Sequence, residues 1–284
     1  MKNKPKFWIE KIPYPKESDH KYSRGQVAVL GGEIMTGAAC LSADAAAKIG
    51  AGLVTIIAKK NSLPIYKCFK PYIIARDDMD MKAFVQNAKL KGRVCPIIGP
   101  GLGDKDYRFV RSIILLLLLE QDIPMIIDAD GLNAFEGRMP ELLSKLHKNV
   151  ILTPHDGEFK RMFPNLAKLL DSDREQAIID AANLSNAVIV LKGSKTIIAT
   201  KGRDIIVNNN ANAYLATAGS GDVLSGVLGG LLTQGMSAFD AACAGVWMHG
   251  RASQIIGAGL VASDLIEEIP KVLKEMLGIS KKVG

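Results

Sequence analysis

The sequence predicts an α/β fold, a mostly parallel and doubly wound sheet with helices on both faces, and three observations carry that expectation. Short apolar runs alternate with longer helical patterns along nearly the whole chain. Each run stops at glycine or a polar residue, so the unusual sequences fall where strands end. The composition, 48% hydrophobic and 23% charged with only 6% aromatic residues, suits buried strands of Ile, Leu and Val under Ala-rich helices. In such a sheet the crossovers are right-handed and ligands gather beyond the carboxyl ends of the strands. A chain of 284 residues has room for two domains, but no stretch reads as a linker, so a single domain over 1–284 is expected.

The elements follow in order. After a polar, proline-bearing opening, the run Gln26–Leu30 leads into Gly31 and Gly32, and a helical pattern covers Thr36–Lys48. Leu53–Ala58, Tyr72–Ala75 and Val94–Ile98 read as strands, the last of them ahead of GPGLG at 99–103. Met125–Ile127 precedes DADGLN at 128–133, and Val150–Leu152 precedes TPHDGEF at 153–159. A helical stretch around Ser172–Ser185 leads to Val188–Leu191 and KGSKT at 192–196, followed by β-like runs at Thr196–Thr200 and Ile205–Val207. Helices fill Asp222–Leu277.

Composition excludes several classes of function. The formal charge of +7, from 36 basic and 29 acidic residues, is concentrated at the ends in Lys2, Lys4, Lys6, Lys11, Lys281 and Lys282. It forms no basic stripe with interleaved aromatics, so no nucleic-acid partner is expected. Cys40, Cys68, Cys95 and Cys243 are far apart with no Cys-x-x-Cys pair, which reads as reduced thiols rather than a zinc site or disulfide framework. The longest apolar run, Ile113–Leu119, falls short of the roughly 20 residues of a membrane span. MKNKPKFWIEKIPYP lacks the apolar core of a signal peptide, so a cytoplasmic protein with no membrane partner is expected.

The densest motif is ATAGSGDVLSGVLGGLLTQG at 216–235. Gly219 and Gly221 let backbone N–H groups turn inward, and a helix start there gathers donors and positive dipole around an anion. Asp222 in that cradle stands where a base would take a proton from a hydroxyl about to receive a phosphoryl group; equally, it could cap a closely packed helix. GPGLG is a tight turn or a ligand loop. Asp128 and Asp130 would face opposite ways if the strand continued through them, leaving one free to cap the next helix. Asn133 could hold a phosphate or a magnesium-bound water, or satisfy its own turn.

His155, at a strand end, is favoured as a substrate contact. Glu158 and Asp156 are ordinary first-turn dipole partners that could also hold hydrated magnesium. His20, His147 and His249 have no companions at metal spacing and read as surface or packing residues. In KGSKT, Gly193 suggests a hairpin-like turn, with Lys192 or Lys195 able to neutralise nucleotide phosphate or simply solvated. The chain has neither a P-loop nor a G-x-G-x-x-G fingerprint.

The order GG, TGAA, GAGLVT, GPGLG, DADGLN, TPHDGEF, LKGSKT, ATAGSGDVLSG and GLVASDLIEEIP, from about Gly25 to Pro270, resembles the ADP/ATP-dependent NAD(P)H-hydrate dehydratase family of the ribokinase-like superfamily. The resemblance implies a ribokinase-like three-layer α/β/α sandwich with a mostly parallel central sheet. It implies an anion hole at Gly219, Ser220 and Gly221 with Asp222 as catalytic residue, and a hydrate pocket at Ala39, Gly101, Gly103, His155 and Asp222. The adenine nucleotide is implied to lie against Lys192, Gly193, Ser194, Lys195 and Thr196 and against Gly221.

ADP or ATP is then the co-substrate and Mg2+ the cofactor, with no metal ligands assigned, and a homo-oligomer, a tetramer among the options, is implied. Asp156 stands where the family usually has proline, and Ala213 and Tyr214 stand where it has proline and glycine. Tyr214 could narrow the nucleotide site. Only a short segment precedes Gly25, so a stand-alone dehydratase without the epimerase domain is expected. Two alternatives share the same residues: a kinase acting on a vitamin-precursor alcohol, and a non-catalytic adenine nucleotide sensor.

Overall fold

A computed structural model describes residues 1–77 and 80–283 of the chain. The strands are β1 (Gln26–Gly31), β2 (Leu53–Ala58), β3 (Ile74–Arg76), β4 (Val94–Ile98), β5 (Met125–Ile127), β6 (Val150–Leu152), β7 (Val188–Leu191), β8 (Thr196–Ala199) and β9 (Ile206–Asn208). They form one sheet in the order β3-β2-β1-β4-β5-β6-β7-β8-β9. The strands from β1 to β7 pair in parallel, and β8 and β9 fold back antiparallel on β7. Several ends differ from the expected runs by one or two residues: β1 extends to Gly31, β8 stops at Ala199, and β3 and β9 are shifted at both ends. The strand expected at Tyr72–Ala75 starts at Ile74, because Tyr72 lies in a turn and donates its hydroxyl to Asp44 Oδ1 at 2.7 Å. β9 likewise begins one residue late, at Ile206.

The helices are α1 (Thr36–Lys48), α2 (Leu63–Lys67), α3 (Met81–Lys89), α4 (Tyr107–Leu117), α5 (Asp130–Asn133) and α6 (Met139–Leu143). They continue with α7 (Asp156–Met162), α8 (Ala167–Ser172), α9 (Arg174–Ser185), α10 (Ser220–Thr233), α11 (Ala238–Ile256) and α12 (Ala262–Val283). The period of two along the strands sorts side chains into two cores. Val27, Val29, Ile56, Ile97 and Ile126 pack on one face with α1, α10, α11 and α12. Ala28, Leu30, Ile57, Ile98 and Ile127 pack on the other with α3, α4, α7 and α9. The result is a three-layer α/β/α sandwich with a mostly parallel central sheet.

Helix α10 is buried from Val223 to Thr233. Its glycines explain how so central a helix fits. A Cβ at Gly226 would overlap the carbonyl oxygen of Ser42, and one at Gly230 would overlap Ile49 Cγ2, so the backbones of α10 and the Ala-rich α1 lie nearly in contact. Ser42 Oγ also donates to the carbonyl of Asp222 at 2.9 Å. This packing fixes the start of α10 beside the carboxyl ends of the strands. Strand order reverses at β1, which has β2 and β3 on one side and β4 to β9 on the other, so the crevice opens there between the loops after β1 and β4. Among the described residues no helix is long and apolar enough to cross a membrane.

Candidate functional site

The first turn of α10 carries the central carboxylate. Gly219 is its N-cap at φ +86°, a conformation open to glycine, and a Cβ there would press on Leu41 Cδ1 at 2.6 Å and Ala262 Cβ at 3.0 Å. Around Gly221, by contrast, only Lys192 Nζ lies near the place a Cβ would take, at 3.6 Å. The helix start, with its unpaired donors and positive dipole, therefore faces open space. Asp222 sits in this turn with its pKa pushed up to about 6, first by burial and then by the charges of Asp128 and Asp130, while Lys192 pulls it down.

Asp128 explains the position of Lys192. The strand stops at Ile127, and Ala129 turns the chain at φ +44°, directing Asp128 into the interior, where it is 1% exposed. Lys192 Nζ donates to Asp128 Oδ1 at 2.8 Å, Ser225 Oγ donates to Oδ2 at 2.7 Å, and the N–H of Ala129 donates to Oδ1 at 2.8 Å. Burial alone would raise Asp128, but the charge and hydrogen bond of Lys192 outweigh it and hold the carboxyl below its ordinary value. Burial likewise opposes the charge of Lys192, and Asp128 and Glu158 more than restore it. Both ions persist because each has the other.

The turn at Ala129 also corrects the expectation of opposed aspartates. Because the strand does not continue, Asp128 and Asp130 both act on Asp222, and neither caps α5, whose N-cap is Ala129 without a side-chain bond. Asp130 Oδ2 instead accepts the N–H of Gly103 at 2.8 Å, tying the loop after β5 to the loop after β4. Gly99, Gly101 and Gly103 all have positive φ, so this loop is a glycine-dependent turn. A Cβ at Gly32 would overlap the Gly101 carbonyl, which brings the loop after β1 into the same place. Asn133 accepts Arg161 Nη2 at 2.9 Å and so satisfies local structure.

His155 is the N-cap of α7. Its Nδ1 accepts the N–H groups of Gly157 at 3.0 Å and Glu158 at 3.3 Å, and Glu158 Oε2 accepts the His155 N–H at 2.8 Å, a capping box. Nδ1 as acceptor places the ring proton on Nε2. The side chain is 54% exposed, so the ring is held at the strand end yet open to a ligand. Glu158 is buried beneath it, 3.9 Å from Lys192 Nζ. Asp156 forms an ion pair with Arg174 Nη1 at 2.6 Å, and Arg174 Nη2 donates to the Lys192 carbonyl at 3.1 Å. Both acids expected to suit magnesium are thus committed to other partners. No cluster of three or more His, Cys, Asp or Glu side chains able to hold a metal occurs among the described residues.

Beside Asp222 opens a cavity of ≈ 530 Å³. Lys192, Gly193, Ser194, Thr196, Ser220 and Gly221 line its polar part, and Ala211, Leu215, Leu224 and Val246 its apolar part. Three expectations differ here. Lys195 is exposed and lies off the cavity wall. Tyr214 is also off the wall and 52% exposed, because the wall is made by its neighbours Ala213 and Leu215; it does not narrow the cavity. His249, read as a surface or packing residue, is part of the wall. Ala39, on α1, is fully buried against the core, so its methyl faces away from solvent; Gly37, two residues earlier, has open space around it.

Comparison with known proteins agrees with this geometry. A family model described as NAD(P)H-hydrate dehydratase matches residues 27–273. An ADP-dependent (S)-NAD(P)H-hydrate dehydratase of Neisseria meningitidis is 38% identical over 257 residues, covering 89% of this chain and 85% of that protein. A bifunctional NAD(P)H-hydrate repair enzyme of Coxiella burnetii is 36% identical over 91% of this chain, which spans 52% of that longer protein. Among solved structures, an ADP/ATP-dependent NAD(P)H-hydrate dehydratase of Bacillus subtilis, co-crystallized with ATP and Mg2+, superposes with a TM-score of 0.79 at 29% identity, covering 94% of this chain and 96% of that one. A ribokinase-like protein of Enterococcus faecalis shares the fold with a TM-score of 0.81 at 22% identity, covering 97% of this chain and 96% of that one.

Proposed function

The chain belongs to the NAD(P)H-hydrate dehydratase family, and from that premise we propose that Asp222 is the base of its adenine-nucleotide-dependent dehydration of NAD(P)H hydrate. The observation that carries this assignment is a carboxylate raised to about 6 at the mouth of a glycine-lined helix start, directly beside a nucleotide-sized cavity. Such a group is ionised at neutral pH yet more basic than an ordinary aspartate, which suits proton abstraction.

Asp222 takes the proton of the ring hydroxyl as that oxygen attacks the terminal phosphoryl group of ADP or ATP, releasing AMP or ADP. The Gly219–Gly221 backbone stabilises the charge that develops on the transferring phosphoryl group. The phosphorylated oxygen then leaves as orthophosphate, driven by the lone pair of the ring nitrogen, and loss of a ring proton restores NAD(P)H. Lys192 pulls the pKa of Asp222 down against burial and the neighbouring carboxylates, favouring the ionised base. Lys192, Gly193, Ser194, Thr196, Ser220 and Gly221 hold the nucleotide, with Lys195 at the rim. Gly101, Gly103 and His155 hold the hydrate, and Ala39 supports that pocket from the core.

Mg2+ fits this site as an ion carried on the nucleotide phosphates, since Asp128 and Glu158 are already paired and few oxygens remain for it; bound there, it would neutralise phosphate charge. The homo-oligomer and the cytoplasmic location implied by the resemblance stand as part of the same proposal. The test mixes the protein with hydrated NADH or NADPH, Mg2+, and ADP or ATP in turn, following dihydronicotinamide absorbance and free phosphate together. Equal appearance of both is expected. A stable phosphorylated product without free phosphate would identify a kinase, and nucleotide binding with no turnover a sensor.

A further inference from the structure

Three polar side chains on the cavity wall take no part in the proposed reaction; Asn208 and Asn212 are hydrogen-bonded, and His249 carries an unpaired ring nitrogen. His249 lies within α11, one turn beyond Val246, and is 7% exposed. Its Nε2 is buried without a hydrogen-bond partner. Buried ring nitrogens are rarely left so. The polar side chains nearby do not supply a partner because they are spent on one another and on backbone carbonyls. Asn208 Nδ2 donates to Asn210 Oδ1 at 2.7 Å, Asn210 Nδ2 to the Trp247 carbonyl at 2.8 Å, Asn212 Nδ2 to the Ser253 carbonyl at 2.6 Å, and Ser253 Oγ to the Gly250 carbonyl at 2.7 Å.

Burial pushes the His249 ring down to about 4, with the Ser220 backbone opposing, so it is neutral at physiological pH. A neutral imidazole offers one N–H donor and one lone pair but no charge for a phosphate. The polar side chains Lys192 and Ser194, with the start of α10, already mark the phosphate end of the cavity. Leu215, Leu224 and Val246 mark the apolar end, which suits a base. His249 lines the cavity and rotation about its χ2 is soft, so the ring has freedom to turn toward a ligand there.

We propose that His249 is a specificity residue of the nucleotide site, its neutral ring hydrogen-bonding the adenosine part of ADP or ATP. The assignment rests on the nucleotide reading given above, and its test separates the two. Calorimetry on the full chain measures binding of AMP, ADP and pyrophosphate to the wild type and to His249→Phe and His249→Gln. Loss of one hydrogen bond predicts about tenfold weaker binding of AMP and ADP to His249→Phe. Pyrophosphate binding is expected to be unchanged, which also shows that the variant is folded. His249→Gln, which keeps a donor and an acceptor, is expected to recover most of the loss. Should phenylalanine be too large for the wall, His249→Leu asks the same question.

Unaltered AMP binding in His249→Phe, or an equal loss for pyrophosphate, overturns the assignment. A wild type that binds no adenine nucleotide overturns instead the functional reading on which it rests.

Discussion

Replacing Asp222 by asparagine should abolish turnover and stabilise the protein at the same time. The carboxyl titrates at about 6 rather than at its ordinary 3.8 because it is buried near Asp128 and Asp130. That gap corresponds to at most about 3 kcal/mol, and water reaching the half-buried group trims it to about 1–3 kcal/mol. The sign follows from linkage: a carboxyl whose folded value is raised favours the native state below pH 3.8 and loses that contribution as pH rises through about 6. At pH 8 the wild type therefore bears the full cost of an ionised Asp222, which Asp222→Asn removes. Well below pH 3.8 both proteins carry a neutral group in both states and the difference vanishes, and at pH 4 most of it is already gone. Denaturant unfolding at pH 8 and pH 4 reads the stability, and the coupled absorbance and phosphate assay reads activity, expected to fall roughly 10²–10⁴-fold. Near wild-type turnover, or equal stability at pH 8, would refute the account of Asp222 as a strained base.

Lys192→Met strands the buried Asp128 carboxylate and should cost about 3–5 kcal/mol at pH 8. At pH 5 the cost should shrink, because burial then lets Asp128 take a proton; a penalty independent of pH would contradict the pairing. Arg174→Ala removes the link from Asp156 to the Lys192 carbonyl. Stability should change by less than about 1 kcal/mol, since the pair is exposed, while the nucleotide KM rises several-fold. Arg174→Lys should not restore it, because an ammonium cannot span both partners; full rescue in steady-state kinetics would argue against the clamp. Gly226→Ala should destabilise by about 1–3 kcal/mol despite better helix propensity, because the added carbon meets the Ser42 backbone. A raised melting temperature would show that α1 and α10 can part at little cost.

The sheet and the positions of the loops were legible in the sequence because strand ends are local signals: an apolar run meeting GPGLG or TPHDGEF needs no knowledge of the rest of the chain. The cradle at Gly219–Asp222 was legible for the same reason. What was not legible depends on contacts between distant positions. Lys192 and Asp128 lie 64 residues apart, and only their shared burial turns a solvated-looking lysine into the counter-charge of the site. Ala129 at φ +44° gave no warning, since alanine rarely adopts that conformation, and it reversed the expected facing of the two aspartates. Tyr214 and His249 exchanged roles. A bulky residue in the nucleotide loop turned outward, while a histidine in an unremarkable helix became cavity wall.

The charge arrangement also bears on how the nucleotide enters. Asp128, Asp130 and Glu158 all act on the charge of Asp222 or Lys192, and Lys192 is committed to Asp128 at 2.8 Å. A polyphosphate arriving alone would add negative charge beside Asp222 and raise its pKa further, drawing a proton onto the base at neutral pH. The helix start offsets only part of that charge, because its dipole amounts to about half an elementary charge. A cation travelling with the phosphates removes the conflict without needing protein ligands of its own. On the proposed reading, the same electrostatics that raise Asp222 favour a metal-bound nucleotide over a bare one and would tie proton abstraction to arrival of the complete co-substrate.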